Sequence, residues 1–336
     1  MSTSHRVLAT APLRGPGLDQ LRQLADVTLD PWIDQTPLRI YDGAALAQRI
    51  DEVGANIVIC EADECRGPVL ERELVAIGST RGDPTNVDVE AATAAGIPVL
   101  HAPGRNADAV AELAVGLLLA ATRLIVAADR DVRAGEVFRG GTIPYQRFRG
   151  WQVAGRTAAL VGLGAVGRAV RWRLDGLGLD VISYDPFADD ATHHDLDDML
   201  AEADVVSMHA AVTPDTAGMM NAARFAAMRK GAVYLNTARA ALHDLDALTS
   251  ALASGHLSAA GLDHFEGEML PRDHPLAGRD DVVLTPHIGG ATYDTETNHT
   301  TMLAGDLARL LAGEPPLHIA NPAVLSDEVL NDGGTH

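Results

Sequence analysis

The stretch from residue 157 to 185 constrains this chain more than any other. An apolar strand pattern (157–161) runs into VGLGAVG (161–167), which sets Gly162, Gly164 and Gly167 in a G-x-G-x-x-G spacing. A helical stretch (168–177) follows, then a second strand, then an acid, Asp185, 18 residues beyond Gly167. In a chain with 32 glycines the spacing alone says little. The order strand, glycines, helix, strand, acid says much more. The first glycine permits a tight turn, the second lets a pyrophosphate approach the backbone, and the third lets the helix pack closely on the strand. The helix N-terminus then faces the phosphate charge. A carboxylate at 185 would accept hydrogen bonds from ribose hydroxyls and repel a 2′-phosphate. No Arg or Lys follows in DPFADD (185–190), so the expected cofactor is NAD rather than NADP.

Short β-branched runs alternate with Ala/Leu-rich helical stretches along the rest of the chain. Strands are expected at 6–9, 57–60, 97–100, 181–184, 205–209, 232–236, 258–262 and 282–285, with early helices at 17–24, 44–50 and 87–95. This rhythm argues for parallel sheets covered by helices. Residues 106–134 read as one long helix, apolar on more than one face, to be buried between layers or against another subunit. An irregular arm follows (135–151). It carries Arg139, Arg147 and Arg149 with no acid between them, either as a solvated loop or as a basic lip over the active site. Residues 313–322 form a Pro-rich connection, and 331–336 are expected to fray. The glycine motif lies mid-chain, as when a nucleotide domain is inserted into another domain.

Acidic residues outnumber Lys plus Arg by 46 to 26, giving a formal charge of −20. That argues against a nucleic-acid or anionic-membrane surface spread over the chain. No apolar run approaches the ~20 residues of a membrane span, and the N-terminus shows no signal-peptide core, so a cytoplasmic protein is expected. Two cysteines, Cys60 and Cys65, cannot build a disulfide framework or a four-cysteine zinc site. They read as reduced thiols, and no metal is expected.

Three later segments each end an apolar strand in chargeable residues: YLNTARAAL (234–242), AGLDHFEGE (260–268) and LTPHIGGAT (284–292). The carboxyl ends of parallel strands form the ligand crevice of such sheets, so Arg239, Asp263, Glu268 and His287 should converge there. They would supply a cation for a carboxylate, an acid–base histidine and a carboxylate to orient it.

With GLGAVG and the stretch 87–113, these segments make the chain resemble the D-isomer-specific 2-hydroxy acid dehydrogenases, most of all the D-3-phosphoglycerate dehydrogenase branch. The resemblance runs from about residue 77 to 292, and more loosely beyond. It implies an α/β protein of two Rossmann-like or flavodoxin-like domains with parallel sheets and an active site in the interdomain cleft. Residues 1–103 with 293–336 would form the substrate domain and 104–292 the NAD-binding domain. Arg239 would bind the substrate carboxylate and carbonyl oxygen, His287 would exchange the proton, and Glu268 would pair with His287 and stabilise its charged form. Glu266 competes for that last place, and spacing favours Glu268. Ala165 and Val166 would offer backbone N–H groups to the pyrophosphate, and Asp263 would hold the nicotinamide carboxamide. Thr237 and Ala238 would line the cofactor pocket, with His209 and Thr216 in support. Substrate would also meet Arg81, Gly82, Asp83 and Asn106. A homodimer formed through the 106–134 region is implied as well.

The chain departs from the family pattern in places. STRGDPTNVD (79–88) has Asp83 where a glycine is common, and Arg81 beside it suits a second anionic group on the substrate. Ala211 stands where proline is usual. The expected reaction is hydride transfer between nicotinamide and C2 of a small D-2-hydroxy acid, with a phosphorylated or phosphonate-bearing substrate preferred. Alternatives on the same fold are phosphite or hydroxyphosphonate oxidation and a non-enzymatic NAD(H)-sensing corepressor. Histidines such as His193, His194 and His256 read as surface residues without a role.

Overall fold

The computed structural model describes residues 5–325, so the expected fraying of 331–336 lies outside the described residues. In chain order the strands are β1 (Arg6–Ala9), β2 (Asp26–Leu29), β3 (Ile57–Cys60), β4 (Ala76–Ser79), β5 (Val99–Leu100), β6 (Thr157–Val161), β7 (Asp180–Tyr184), β8 (Val205–Met208), β9 (Val233–Asn236), β10 (Ala259–Leu262) and β11 (Val282–Leu284). The helices are α1 (Pro16–Leu24), α2 (Gly43–Val53), α3 (Val89–Ala94), α4 (Ala107–Thr122), α5 (Ile125–Ala134), α6 (Pro144–Arg147), α7 (Ala165–Gly176), α8 (Leu196–Glu202), α9 (Ala222–Ala227), α10 (Leu245–Ala253) and α11 (Tyr293–Leu311). They fall into two compact units. Among the described residues, one holds 5–105 together with 292–325, and the other is Asn106–Ala291.

The first unit is a five-stranded parallel sheet in the order β2-β1-β3-β4-β5. Side chains alternate across it as a pleated strand requires. Leu8, Val58 and Ile77 pack with Leu46 and Ile50 of α2 on one face, while Val7, Ile57 and Ile59 pack with Leu21 of α1 and Leu303 of α11 on the other. Both faces are covered, which is why β3 reads as an unbroken apolar run (IVIC). Asp42 and Asp88 cap α2 and α3, accepting hydrogen bonds from Ala45 N (2.8 Å) and Ala91 N (3.0 Å). Strands β2 and β4 were not expected from sequence. The first is a part-polar edge strand (DVTL), and the second is the short run AIGS, diluted by glycine and serine.

The second unit is a six-stranded parallel sheet ordered β11-β10-β9-β8-β6-β7. Strand β6 pairs with β7 on one side and β8 on the other, so the chain winds in opposite directions from it, and the carboxyl ends of β6 and β8 flank the switch point. The helix expected over 106–134 is in fact two, α4 and α5, bent by 64°. Leu124 between them adopts a left-handed conformation (φ 53°), which ends the hydrogen-bond ladder of α4 and starts a new helix axis. Helix α4 buries Ala111, Ala114, Leu117 and Leu118 against the sheet and α7. Among the described residues no single helix is long and apolar enough to cross a membrane.

The arm after α5 folds back on it. Arg147 pairs with the nearly buried Asp131, and Arg139 pairs with Glu136 (3.1 Å). The Arg147 guanidinium holds the Asp131 carboxyl below the usual carboxylate range. Two of the three arm arginines are therefore neutralised, Arg147 by Asp131 of α5 and Arg139 by Glu136 at the start of the arm. Cys60 and Cys65 are free, fully buried thiols with sulfurs 3.3 Å apart. The contact with Cys60, together with burial, pushes the Cys65 thiol well up, so it is unreactive at neutral pH.

Candidate functional site

At the end of β6 the chain turns through Gly162 (φ 103°), whose N–H donates to Tyr184 O (2.8 Å). A Cβ here would lie 2.7 Å from the backbone of His209 and Ala210, which follow β8, so only glycine lets the two strand ends approach. A Cβ on Gly167 would lie 2.1 Å from the Gly162 carbonyl oxygen, whereas above Gly164 there is open space. Helix α7 starts at Ala165 with no side-chain cap, leaving the first-turn N–H groups of Ala165 and Val166 free for an anion.

Asp185 stands at the end of β7, half-buried. Its Oδ2 accepts from Leu163 N (2.7 Å) and its Oδ1 from Phe187 N (2.9 Å), which fixes the carboxylate beside the glycine turn. One cation escaped the sequence reading. Arg168 of α7 feels the charge of Asp185, but its fork is held by Asp190 at 2.7 and 2.8 Å. Two buried polar atoms near the strand ends have no partner among the described residues, His209 Nδ1 and Thr237 Oγ1. His209 Nε2 meets Ser207 Oγ (2.9 Å), and burial pushes the ring down to about 4, so it is neutral. Thr216 Oγ1 donates to Ala211 O (2.7 Å) and closes the turn where proline is usual. Open space over Gly164, free helix N–H groups, a fixed carboxylate and orphaned polar atoms all fit a bound dinucleotide.

Strands β9 and β10 and the segment after β11 carry the acid–base groups. The turn at Arg239 is clamped by Asn236, fully buried, which accepts from Ala238 N (3.0 Å) and donates to Arg239 O (2.8 Å). Arg239 itself is exposed, its guanidinium donating to the Ala238 carbonyl (2.6 Å). His287 Nδ1 lies 2.9 Å from Glu268 Oε1, and Glu266 makes no such contact among the described residues. Both partners have left-handed backbones, φ 54° at His287 and 59° at Glu268, two of three non-glycine residues with positive φ among the described residues. Each is strained by ~1–2 kcal/mol, and strain of this kind gathers at functional sites.

Asp263 holds this segment in place. Its fully buried carboxylate accepts Thr285 Oγ1 (2.6 Å), Ile288 N (2.9 Å) and Gly289 N (2.8 Å), and its carbonyl accepts His287 N (2.8 Å). Both oxygens that the sequence reading reserved for the nicotinamide carboxamide are thus engaged by the loop that presents His287. The sequence reading also passed over His264. Its ring packs on that of His287 with centroids 3.8 Å apart, and burial pushes it down to about 4, aided by the charges of His287 and Arg239. Asp263 and Glu268 act on it in the opposite sense, so all four expected groups surround this ring.

The remaining expected residues divide between the two units. Asn106 packs against Gly290, whose Cβ would lie 3.1 Å from its Nδ2. In the first unit, Arg81 Nε donates to Glu61 O (2.7 Å) and its NH1 to Thr85 Oγ1 (3.0 Å), and no acid pairs with it among the described residues. Gly82 O meets His101 Nδ1 (2.7 Å), and Asp83 is exposed.

A glycine turn at a sheet switch point, with an arginine and a carboxylate–histidine pair at neighbouring strand ends, defines a nucleotide-dependent dehydrogenase. The model of the D-isomer-specific 2-hydroxyacid dehydrogenase NAD-binding domain matches residues 115–289. The chain is 35% identical over 335 residues to a glyoxylate reductase of Thermofilum pendens, covering 97% of this chain and 95% of that protein. It is 39% identical over 323 residues to the D-3-phosphoglycerate dehydrogenase of Mycobacterium tuberculosis, covering 91% of this chain but 59% of that longer protein. The solved TT0316 protein of Thermus thermophilus superposes with a TM-score of 0.79 at 36% identity, over 94% of this chain and 99% of that one. The chain belongs to the D-isomer-specific 2-hydroxyacid dehydrogenase family, as an oxidoreductase whose cofactor is NAD.

Proposed function

We propose that Arg239, Glu268 and His287 interconvert a small D-2-hydroxy acid and its 2-oxo acid, with a substrate that carries a second anionic group, a phosphate or phosphonate. NAD, when bound, supplies the acceptor or donor of hydride at its nicotinamide ring. The glycine turn, Ala165 and Val166 N–H groups and Asp185 would hold it, with Thr237, Ala238, His209 and Thr216 along its pocket. The exposed fork of Arg239 suits bidentate binding of the substrate carboxylate. Neutral His287 takes the hydroxyl proton in oxidation and returns it in reduction. Glu268, at Nδ1, fixes the ring so that Nε2 is the atom that moves the proton.

The observation that carries this reading is the 2.9 Å Glu268–His287 pair on strained backbone. The second anionic group is supported by Arg81, which no acid pairs among the described residues, and by the phosphoglycerate dehydrogenase relative. An unphosphorylated 2-oxo acid is the competing reading, favoured by the glyoxylate reductase relative. We further infer that two copies pair through α5 and the arm, where Val126, Val132, Phe138 and Tyr145 are exposed. A sedimentation profile of monomer alone would overturn that pairing.

NADH consumption across glyoxylate, hydroxypyruvate, pyruvate and 3-phosphohydroxypyruvate, and NAD reduction with phosphonates and phosphite, separates the substrate readings. The proposal expects the highest kcat/KM with a doubly anionic substrate and loss of several orders of magnitude in Arg239→Ala or His287→Ala while NADH still binds. Near-full turnover in either variant would refute the assignment.

A further inference from the structure

We propose that His264, Glu268 and His287 form a three-ligand site for a divalent transition metal of the zinc class, and that a metal held there arrests the reaction. The inhibitory half rests on the acid–base reading of His287 above; the binding half stands on geometry alone. Each of the three residues offers one ligand atom, and the three atoms lie within 4.8 Å of one another. Two imidazoles and a carboxylate are a ligand set that zinc accepts, with its fourth position left open. Bonds of ~2.0–2.2 Å require the ligand atoms to close to roughly 3.3 Å. Glu268 and His287 are exposed and free to make that small adjustment.

The second observation is His264 itself. The residue is only 5% exposed, and no hydrogen bond to its ring is seen among the described residues, its nitrogens retaining access to solvent. One nitrogen of this ring lies within 4.8 Å of a ligand atom on each of Glu268 and His287. Glu268 and Asp263 act on the ring against His287 and Arg239, so the local charge is balanced rather than cationic. Two nitrogens and one oxygen select Zn²⁺, Co²⁺ or Cu²⁺ over Mg²⁺ and Ca²⁺, which prefer all-oxygen shells. A metal here draws on the His287 lone pair and a Glu268 oxygen, so the histidine can no longer exchange a proton.

The test uses the untagged full chain, because 13 histidines already compete, after dialysis against a chelator. Titration with Co²⁺ alone should give visible absorption of a low-coordinate site, saturating at one metal per chain. Zn²⁺ should suppress turnover and EDTA should restore it, with Mg²⁺ inert. His264→Phe retains a ring against His287 and removes a ligand; His264→Val serves if the larger ring disturbs the fold, with NADH fluorescence certifying either variant. The Zn²⁺ concentration for half-inhibition should rise about tenfold or more, a change of ~1.4 kcal/mol. Absence of the Co²⁺ signal, or Zn²⁺ sensitivity equal to the parent's in both variants, overturns the site and leaves the enzymatic reading intact. Co²⁺ uptake that depends on His264 while turnover continues in its presence keeps the site but overturns the inhibition, and with it the proton-transfer role of His287.

Discussion

Replacing Asp263 by asparagine changes one oxygen to an NH₂ group at a point where the protein offers only donors. Oδ1 accepts Thr285 Oγ1 and Ile288 N, and Oδ2 accepts Gly289 N, all within 2.9 Å, on a carboxylate that is itself fully buried and with the Gly289 bond buried too. In the least damaging rotamer the amide oxygen keeps the first two bonds and the NH₂ group faces Gly289 N–H. A charge-assisted bond worth ~1.5–3 kcal/mol is then lost and a buried donor is stranded, while the two surviving bonds weaken to neutral strength, ~0.5–1.5 kcal/mol each. Relief from burying a charge offsets part of this, leaving a net loss of about 2–5 kcal/mol. For a unit of this size that corresponds to a fall in Tm of roughly 4–20 °C. The bonds removed belong to the segment that bears His287, so kcat should also fall at a temperature where the variant is folded, with KM for NADH little changed. Thermal unfolding followed by circular dichroism and steady-state kinetics at 15 °C read the two effects separately. A variant that melts within 2 °C of the parent would refute the reasoning, as would full kcat in a destabilised one.

Three further outcomes are expected. Glu268→Gln should lower kcat ~10²–10⁴-fold with NADH binding retained, read by single-turnover kinetics; retention of the parental kcat would exclude Glu268 from proton transfer. Gly167→Ala puts a Cβ 2.1 Å from the Gly162 carbonyl oxygen and must lift α7 off β6, so NADH affinity should drop at least about tenfold with ~1–3 kcal/mol of stability lost. Burial holds His209, His243 and His299 near 4, below their ordinary 6.5. The unfolded chain therefore binds protons that the folded chain refuses, and stability, complete above pH 6.5, should decline as pH falls towards 4. Urea midpoints measured from pH 7.5 to 4.5 check this, and His299→Gln should flatten the profile.

Much of this architecture was legible because the physics is local. The alternation of short apolar runs with helical stretches marked β1, β3 and all six strands of the second unit, and the glycine triplet marked the start of α7. What escaped depends on neighbours distant in sequence. Strand β2 is half polar because it lies at an edge, and the break at Leu124 shows no Gly or Pro. The arm looked basic because the counter-ions, Asp131 and Glu136, precede its arginines in sequence. Arg168 escaped notice because it lies ahead of Asp185 rather than after it. His264 was visible inside AGLDHFEGE, but only the turn after β11 brings His287 onto its face.

The left-handed backbones of Glu268 and His287 set stability against chemistry at two defined positions. Glycine at either one would adopt the same φ without the strain and, by itself, firm the turn by up to ~1 kcal/mol. A population selected only to survive heating would drift toward such replacements and lose turnover as it hardened. One selected for turnover must keep the two tense residues and recover its ruggedness elsewhere, in the cores of the two sheets or at the capped helix ends. Any stabilised form that still works should therefore carry its changes away from 268 and 287.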